Sequence, residues 1–233
     1  MTEHTVASYD ADLKALHDMV MTMARSVIRQ HADCSDLMGA RDAKLAGRII
    51  DGDRAVDDLQ VAIEEKAIQI VAKRQPLAVD LRTVIATLKI ATDLERIGDL
   101  VKNNAKRMLA SSAQAQMPAG VANLETLNER VAEQLERMLE AFEKRDQRLA
   151  KDVWMRDVEI DTLQNSLFRE LLTYMMEDPR NIGYCTHLLF CARNLERIGD
   201  HATNIAEQVH YIVTGTNMPV DRPKGDASPA AAN

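Results

Sequence analysis

Apolar residues recur at three- and four-residue steps along most of the chain. Leu188, Ala192, Leu195, Ile198, Ala202, Ile205, Val209 and Ile212 share one face when wound at the helical period, and Ala91, Leu94, Ile97, Val101, Ala105 and Met108 do the same earlier. A helix with one apolar stripe must bury it against partners, so the pattern predicts helices packed on helices. Prolines supply the punctuation. Pro118 lies almost midway, in a stretch (SSAQAQMPAG) without periodicity that reads as a linker, and Pro76 and Pro179 break each half in a similar place. Each half reads as helix, helix, break, helix, which is a three-helix bundle.

The halves repeat each other. Arg41-Asp42-Ala43-Lys44-Leu45-Ala46 matches Arg145-Asp146-Gln147-Arg148-Leu149-Ala150 at an offset of 104, and the same offset aligns the segments beginning at Asp53 and Asp157. Leu94-Glu95-Arg96-Ile97-Gly98-Asp99 is identical to Leu195-Glu196-Arg197-Ile198-Gly199-Asp200 at an offset of 101, and Asn103 and Asn204 extend the match. A three-residue shortening near Pro179 accounts for the change of offset. The expected organisation is all-α, a tandem duplication. It places a first bundle over 1–110, a linker over 111–122 and a second bundle over 123–214. A disordered tail follows over 215–233, and the two joined bundles are expected to make an elongated molecule.

Composition narrows the classes further. Among 233 residues there are nine Gly, six Pro, three Phe, four Tyr and one Trp. That is poor material for a large sheet, which draws on aromatic residues and turn glycines. The net charge of −7 argues against a generalised nucleic-acid grip. No apolar run is long enough to span a bilayer. The opening MTEHTVASYDADLK lacks the regions of a signal peptide, and three cysteines (Cys34, Cys185, Cys191) are without metal-ligand spacing, so a reduced cytoplasmic setting with cysteines as buried small hydrophobes is expected. Met19, Met23, Met138, Met175 and Met176 read as core filler.

The chemistry is acidic. Seven Asp/Glu pairs stand four residues apart, a number close to chance, but four of them occupy equivalent places in the two repeats: Asp53/Asp57, Glu95/Asp99, Asp157/Asp161 and Glu196/Asp200. Like charges at that spacing disfavour a helix by about 0.2–0.5 kcal/mol per pair, and the duplication carries them twice. Adjacent antiparallel helices would bring four carboxylates together in each half, a hard-oxygen site suited to Mg²⁺, Mn²⁺ or iron. Asn103 and Asn204 continue the stripe and could add carbonyl oxygens. The alternative is ordinary surface pairing of the acids with Arg96, Arg197 and nearby lysines. Because the acids flank the apolar stripe, such a site would lie near the bundle surface. Gly98 and Gly199, mid-helix beside the second carboxylate, point to close helix packing, with room for an ion or partner as the alternative.

Catalysis has little foothold. No phosphate-binding glycine loop is present, and no activated nucleophile pair stands out. Of the two Glu-x-x-His motifs of a di-iron bundle only Glu207-x-x-His210 occurs. His17, His31, His187 and His201 read as surface or capping residues. The expectation is no enzyme. Metal storage and a metal-free helical adaptor remain as alternatives.

The duplicated LERIGD segments, together with Arg74-Gln75-Pro76-Leu77-Ala78-Val79-Asp80-Leu81-Arg82, closely resemble the PhoU family over about residues 8–213. The resemblance implies paired three-helix bundles, cytoplasmic and commonly homodimeric. It also implies E(D)xxxD motifs able to hold metal clusters, here Asp53/Asp57, Glu95/Asp99, Asp157/Asp161 and Glu196/Asp200, with iron, manganese, magnesium or zinc open as the ion. The implied function is negative regulation of the phosphate-starvation response. Its implied partners are the ATPase subunit of a phosphate ABC transporter and a phosphate sensor histidine kinase, with no nucleic acid and no membrane insertion. One departure stands out: the second half has Asp178-Pro179-Arg180-Asn181 where the first has the RQPxAxDLR run.

Overall fold

The computed structural model describes residues 2–40, 42–111 and 122–219. Six long helices account for nearly all of them, and no strand occurs among the described residues: α1 (Thr2–Ala40), α2 (Ala43–Arg74), α3 (Ala78–Ser111), α4 (Ala122–Lys144), α5 (Gln147–Glu177) and α6 (Ile182–Thr214). The repeated Arg-Asp segments are helix starts. Asp42 accepts hydrogen bonds from the backbone N–H of Lys44 (2.8 Å) and Leu45 (3.3 Å), and Asp146 from Arg148 (2.7 Å) and Leu149 (3.3 Å). Each carboxylate satisfies donors that the first helical turn leaves unpaired.

The offset change also has a physical form. In the first half α2 ends on Gln75 in the left-handed region (φ 48°), Pro76 and Leu77 follow, and Ala78 is again left-handed (φ 43°). In the second half Asp178 ends α5 and a single 3₁₀ turn, Pro179–Asn181, leads directly into α6. Two non-glycine residues at positive φ cost on the order of 1 kcal/mol or more each. The first-half break is thus a strained turn that the second half dispenses with, and it leaves Leu77 82 % exposed.

The halves do not sit apart on a linker. Helices α1–α3 form one bundle and α4–α6 the other, but α3 packs along α6 and α1 along α4 in one continuous hydrophobic core. The helix pairs between bundles run antiparallel. His201 Nδ1 lies 2.8 Å from Asp93 Oδ1, whereas Asn194, earlier on α6, donates to Asn104, later on α3, at 2.8 Å. Across α1 and α4, Arg25 pairs with Glu143 (2.9 Å) and Asn128 donates to Ser35 Oγ (2.7 Å). Related positions on α3 and α6 therefore meet near Gly98 and Gly199, as about a pseudo-twofold axis. The expected elongated pair of bundles is in fact a side-by-side pair, because apolar stripes on α3 and α6 are wide enough to serve two neighbours each.

Three smaller expectations change. His31 is 3 % exposed and belongs to the core, where burial pushes its pKa down to about 4. Met23 and Met138 fill the core and Met19 and Met175 line it, but Met176 is 85 % exposed at the end of α5. The stretch expected to be a loose tail begins with structure: Gly215 caps α6 in the left-handed region (φ 79°) and Met218 is buried. Residues 220–233 of that stretch, and most of the expected linker over 111–122, lie outside the described residues. All three cysteines are buried, as expected.

Candidate metal and partner site

The first-repeat carboxylates gather where α2 meets α3. Asp53 is buried under the seam, Glu95 and Asp99 are half-buried and Asp57 is exposed. Gly98 makes the approach possible: a β-carbon there would stand 3.4 Å from both Asp53 Oδ1 and Val56 Cγ1. The cluster is already bridged by a cation. Lys102, one turn beyond Asp99, places Nζ between Asp53 and Asp99, 2.5 Å from Asp99 Oδ1. Its pKa is pushed up because the two carboxylates outweigh the opposing effect of burial. Arg96 lies 3.5 Å from Glu95 and 4.0 Å from Asp99. Burial, and then repulsion from the other acids, raises the pKa of Glu95 against the pull of Arg96.

The second-repeat cluster, between α5 and α6, is built differently. The residue equivalent to Lys102 is Thr203, which is fully buried. Its Oγ1 donates to Asp157 Oδ1 (3.1 Å) and accepts from Gln134 Nε2 (3.0 Å); Gln134 also reaches Asp157 Oδ1 at 3.3 Å. Asp157 is thus held by neutral donors. Glu196 is buried, with Oε1 taking a 2.6 Å bond from Arg193 and Oε2 without a hydrogen-bond partner. Burial, followed by repulsion from Asp200, pushes the Glu196 pKa up to about 7. Asp161 and Asp200 stand half-buried at the rim, and Asp161 also raises the Glu196 pKa. Gly199 is the tighter glycine: a β-carbon would meet Ile160 Cδ1 at 3.0 Å and Gln134 Oε1 at 3.1 Å.

All eight sequence-predicted acids therefore fall at the two equivalent seams, but not all near the surface. Asp53, Asp157 and Glu196 are buried, since α1 and α4 overlie part of each seam. The asparagines do not extend the sites. Asn103 is exposed, and Asn204 donates to Asp93 of α3 at 3.3 Å. Two glutamines were missed. Gln30 and Gln134 are buried repeat equivalents at the offset of 104, each with Oε1 unpartnered, and Gln30 Nε2 lies 3.4 Å from the β-carbon position of Gly52. Carrying the repeat alignment back into the first helix of each half would have found them.

Among the described residues no three carboxylate, imidazole or thiolate side chains already converge as one ion's ligands. In the first repeat a divalent ion would have to displace the Lys102 ammonium, so that set fits poorly as it stands. The second set fits better: the unpartnered Glu196 and Gln134 oxygens are hard donors, and hard divalent cations prefer such ligands.

Comparison with known proteins agrees with the duplicated architecture. The PhoU domain matches residues 20–108 and again 124–209. The phosphate-specific transport system accessory protein PhoU homolog of Caulobacter vibrioides is 48% identical over 226 residues, covering 97% of this chain and 98% of that protein. The PhoU of Escherichia coli K12 is 38% identical over 218 residues, covering 94% and 90%. Among solved structures, PhoU from Pseudomonas aeruginosa superposes with a TM-score of 0.86 at 36% identity, over 89% of this chain and 100% of that one. The Streptococcus pneumoniae regulator PhoU gives 0.83 at 27% identity, over 91% and 100%. With two matching domains, relatives similar over nearly their whole length and the same paired bundles, the chain belongs to the PhoU family.

Proposed function

We propose that the protein is a cytoplasmic accessory protein of a phosphate transport system and a negative regulator of the phosphate-starvation response. In this reading it couples the transporter's ATPase subunit to a sensor histidine kinase and acts as a homodimer. The observation that carries it is the near full-length similarity to relatives named as phosphate-specific transport accessory proteins. The mechanism is binding. A regulator that restrains a kinase must favour the inactive form, and a hundredfold preference corresponds to about 2.8 kcal/mol of differential affinity. Catalysis gains no support from the thiols, since burial pushes Cys34 and Cys191 up to about 12 and leaves them protonated at neutral pH. Among the described residues no helix is long and apolar enough to cross a membrane.

The two carboxylate seams, eight acids of which three are buried, form the regulatory site in this reading. A divalent cation, with iron, manganese, magnesium or zinc as candidates, binds first at the Asp157, Asp161, Glu196 and Asp200 seam. The unpartnered Glu196 oxygen and the absence of a lysine equivalent to Lys102 support that order. Binding there supplies positive charge to a patch that otherwise repels itself. The test is alkaline phosphatase activity in phosphate-replete cells carrying Glu95→Gln, Asp99→Asn, Glu196→Gln and Asp200→Asn together, with helicity of the purified variant as folding control. High phosphatase with an intact fold is expected; repression equal to wild type removes the carboxylates from function.

A further inference from the structure

The duplication provides an internal control for another surface. Between the C-terminal half of α3 and the N-terminal half of α6 lies an open cleft of about 860 Å³. Lys106, Arg107, Arg193, Arg197, His187 and Phe190 line it, and among the described residues no acidic side chain does. On a chain of net charge −7, four cations in one concavity are a local arrangement rather than a reflection of overall charge. The pseudo-twofold axis relates this cleft to the surface between the other halves of α3 and α6. There Lys106 is matched by Glu207, Arg107 by Gln208, Arg193 by Thr92 and Asn194 by Asp93; only Arg197 keeps its charge, as Arg96, while Phe190 becomes Lys89. The two acids on that side are already engaged: Trp154 donates to Glu207 at 3.1 Å, and Asp93 contacts His201 and Asn204. One surface is closed by internal pairs. Its counterpart keeps its charge.

The groups in the cleft are incompletely satisfied. Arg193 pairs with Glu196, and Arg107 stacks on the half-exposed Phe190 with its guanidinium carbon 4.0 Å from the ring centroid. Lys106 and Arg197 form no ion pair among the described residues, and His187 Nδ1 is buried without a hydrogen-bond partner. Arg193 and Arg197 stand one helical turn apart, about 6 Å, and face Lys106 and Arg107 across the cleft. Four cations carried by two facing helices suit linked phosphates, whose successive charges can meet successive guanidinium and ammonium groups.

We propose that the α3–α6 cleft binds a chain of linked phosphate groups, with Lys106, Arg107, Arg193 and Arg197 as its charge partners. The chain can come from a nucleoside polyphosphate, whose base would lie along Phe190, or from an inorganic oligophosphate. The site adjoins the second carboxylate seam through the Arg193–Glu196 pair at 2.6 Å, but its test does not depend on the regulatory reading.

The test is calorimetric titration of the full-length protein in magnesium-free buffer with tripolyphosphate, ATP and orthophosphate. It compares wild type with Lys106→Gln/Arg197→Gln and with Lys73→Gln/Lys89→Gln, which removes the same charge elsewhere; all four substituted side chains are exposed. Saturable one-to-one binding of tripolyphosphate or ATP is expected, weakened at least tenfold in the cleft variant and within twofold of wild type in the control. Tighter binding of ATP assigns the source to a nucleotide, and tighter or equal binding of tripolyphosphate to the phosphate chain itself; either supports the proposal. No saturable binding of either compound by millimolar concentration overturns it. So does an equal loss in the control variant, or orthophosphate binding as tightly as the longer chains.

Discussion

Glu196 offers the sharpest test of the electrostatic account. Its pKa stands at about 7 against 4.5 for an ordinary glutamate, mainly because the carboxyl is buried and secondarily because Asp200 is close. The folded state therefore holds a proton that the unfolded chain releases between those values. Stability from this group is fully present below about pH 4.5 and is lost as pH rises through about 7. At 1.36 kcal/mol per unit, the loss amounts to about 3 kcal/mol by pH 8. Glu196→Gln keeps the shape and the acceptor for Arg193 but cannot ionise. Urea unfolding of both proteins at pH 5, 6, 7 and 8 reads the effect, since titrating groups remote from Glu196 cancel in the difference and only its neighbours Asp161 and Asp200 titrate together with it. The variant should gain on wild type progressively across that range, by about 2–3 kcal/mol in total. A difference that stays constant with pH would refute the reasoning, because it would mean that Glu196 ionises as a solvated glutamate does. In the proposed reading, cation binding at this seam requires the same deprotonation and should tighten as pH rises through 7.

Lys102→Met should destabilise the fold by about 3 kcal/mol, because Asp53 is left buried without its cation; denaturant titration within 1 kcal/mol of wild type would show that the bridge is dispensable. Gly199→Ala should be less stable than Gly98→Ala by about 1–2 kcal/mol. Both gain helix propensity, but only the former forces Ile160 and Gln134 to give way, and thermal melts showing the reverse order would contradict the packing argument. Gly215→Ala should cost about 1–2 kcal/mol in the same melts, since the residue has φ 79° and a β-carbon would collide with the Arg82 guanidinium.

Much of the architecture is legible in the order of residues, for local reasons. The three- and four-residue spacing of Leu188 to Ile212 places one apolar stripe on α6 whatever surrounds it. Pro76 and Pro179 stop helices by their own geometry, whereas the capping by Asp42 and Asp146 emerged only with the structure. The duplication pairs the acids correctly with each other, since two antiparallel helices joined by a short turn can bring Asp53 beside Glu95 in few ways. What each cluster became was decided by tertiary contact. Lys102 neutralises one seam where buried Thr203 and Gln134 line the other, and nothing in LERIGD, which is identical in both halves, distinguishes them. His31 is polar by composition yet lies in the core because α1 covers two bundles' worth of apolar surface. The cationic cleft exists only because α3 and α6 run antiparallel, bringing Lys106 and Arg107 to Arg193 and Arg197 across almost ninety residues of chain. Helical periodicity is a property of neighbours in sequence, whereas burial, charge pairing and clefts depend on which helices meet.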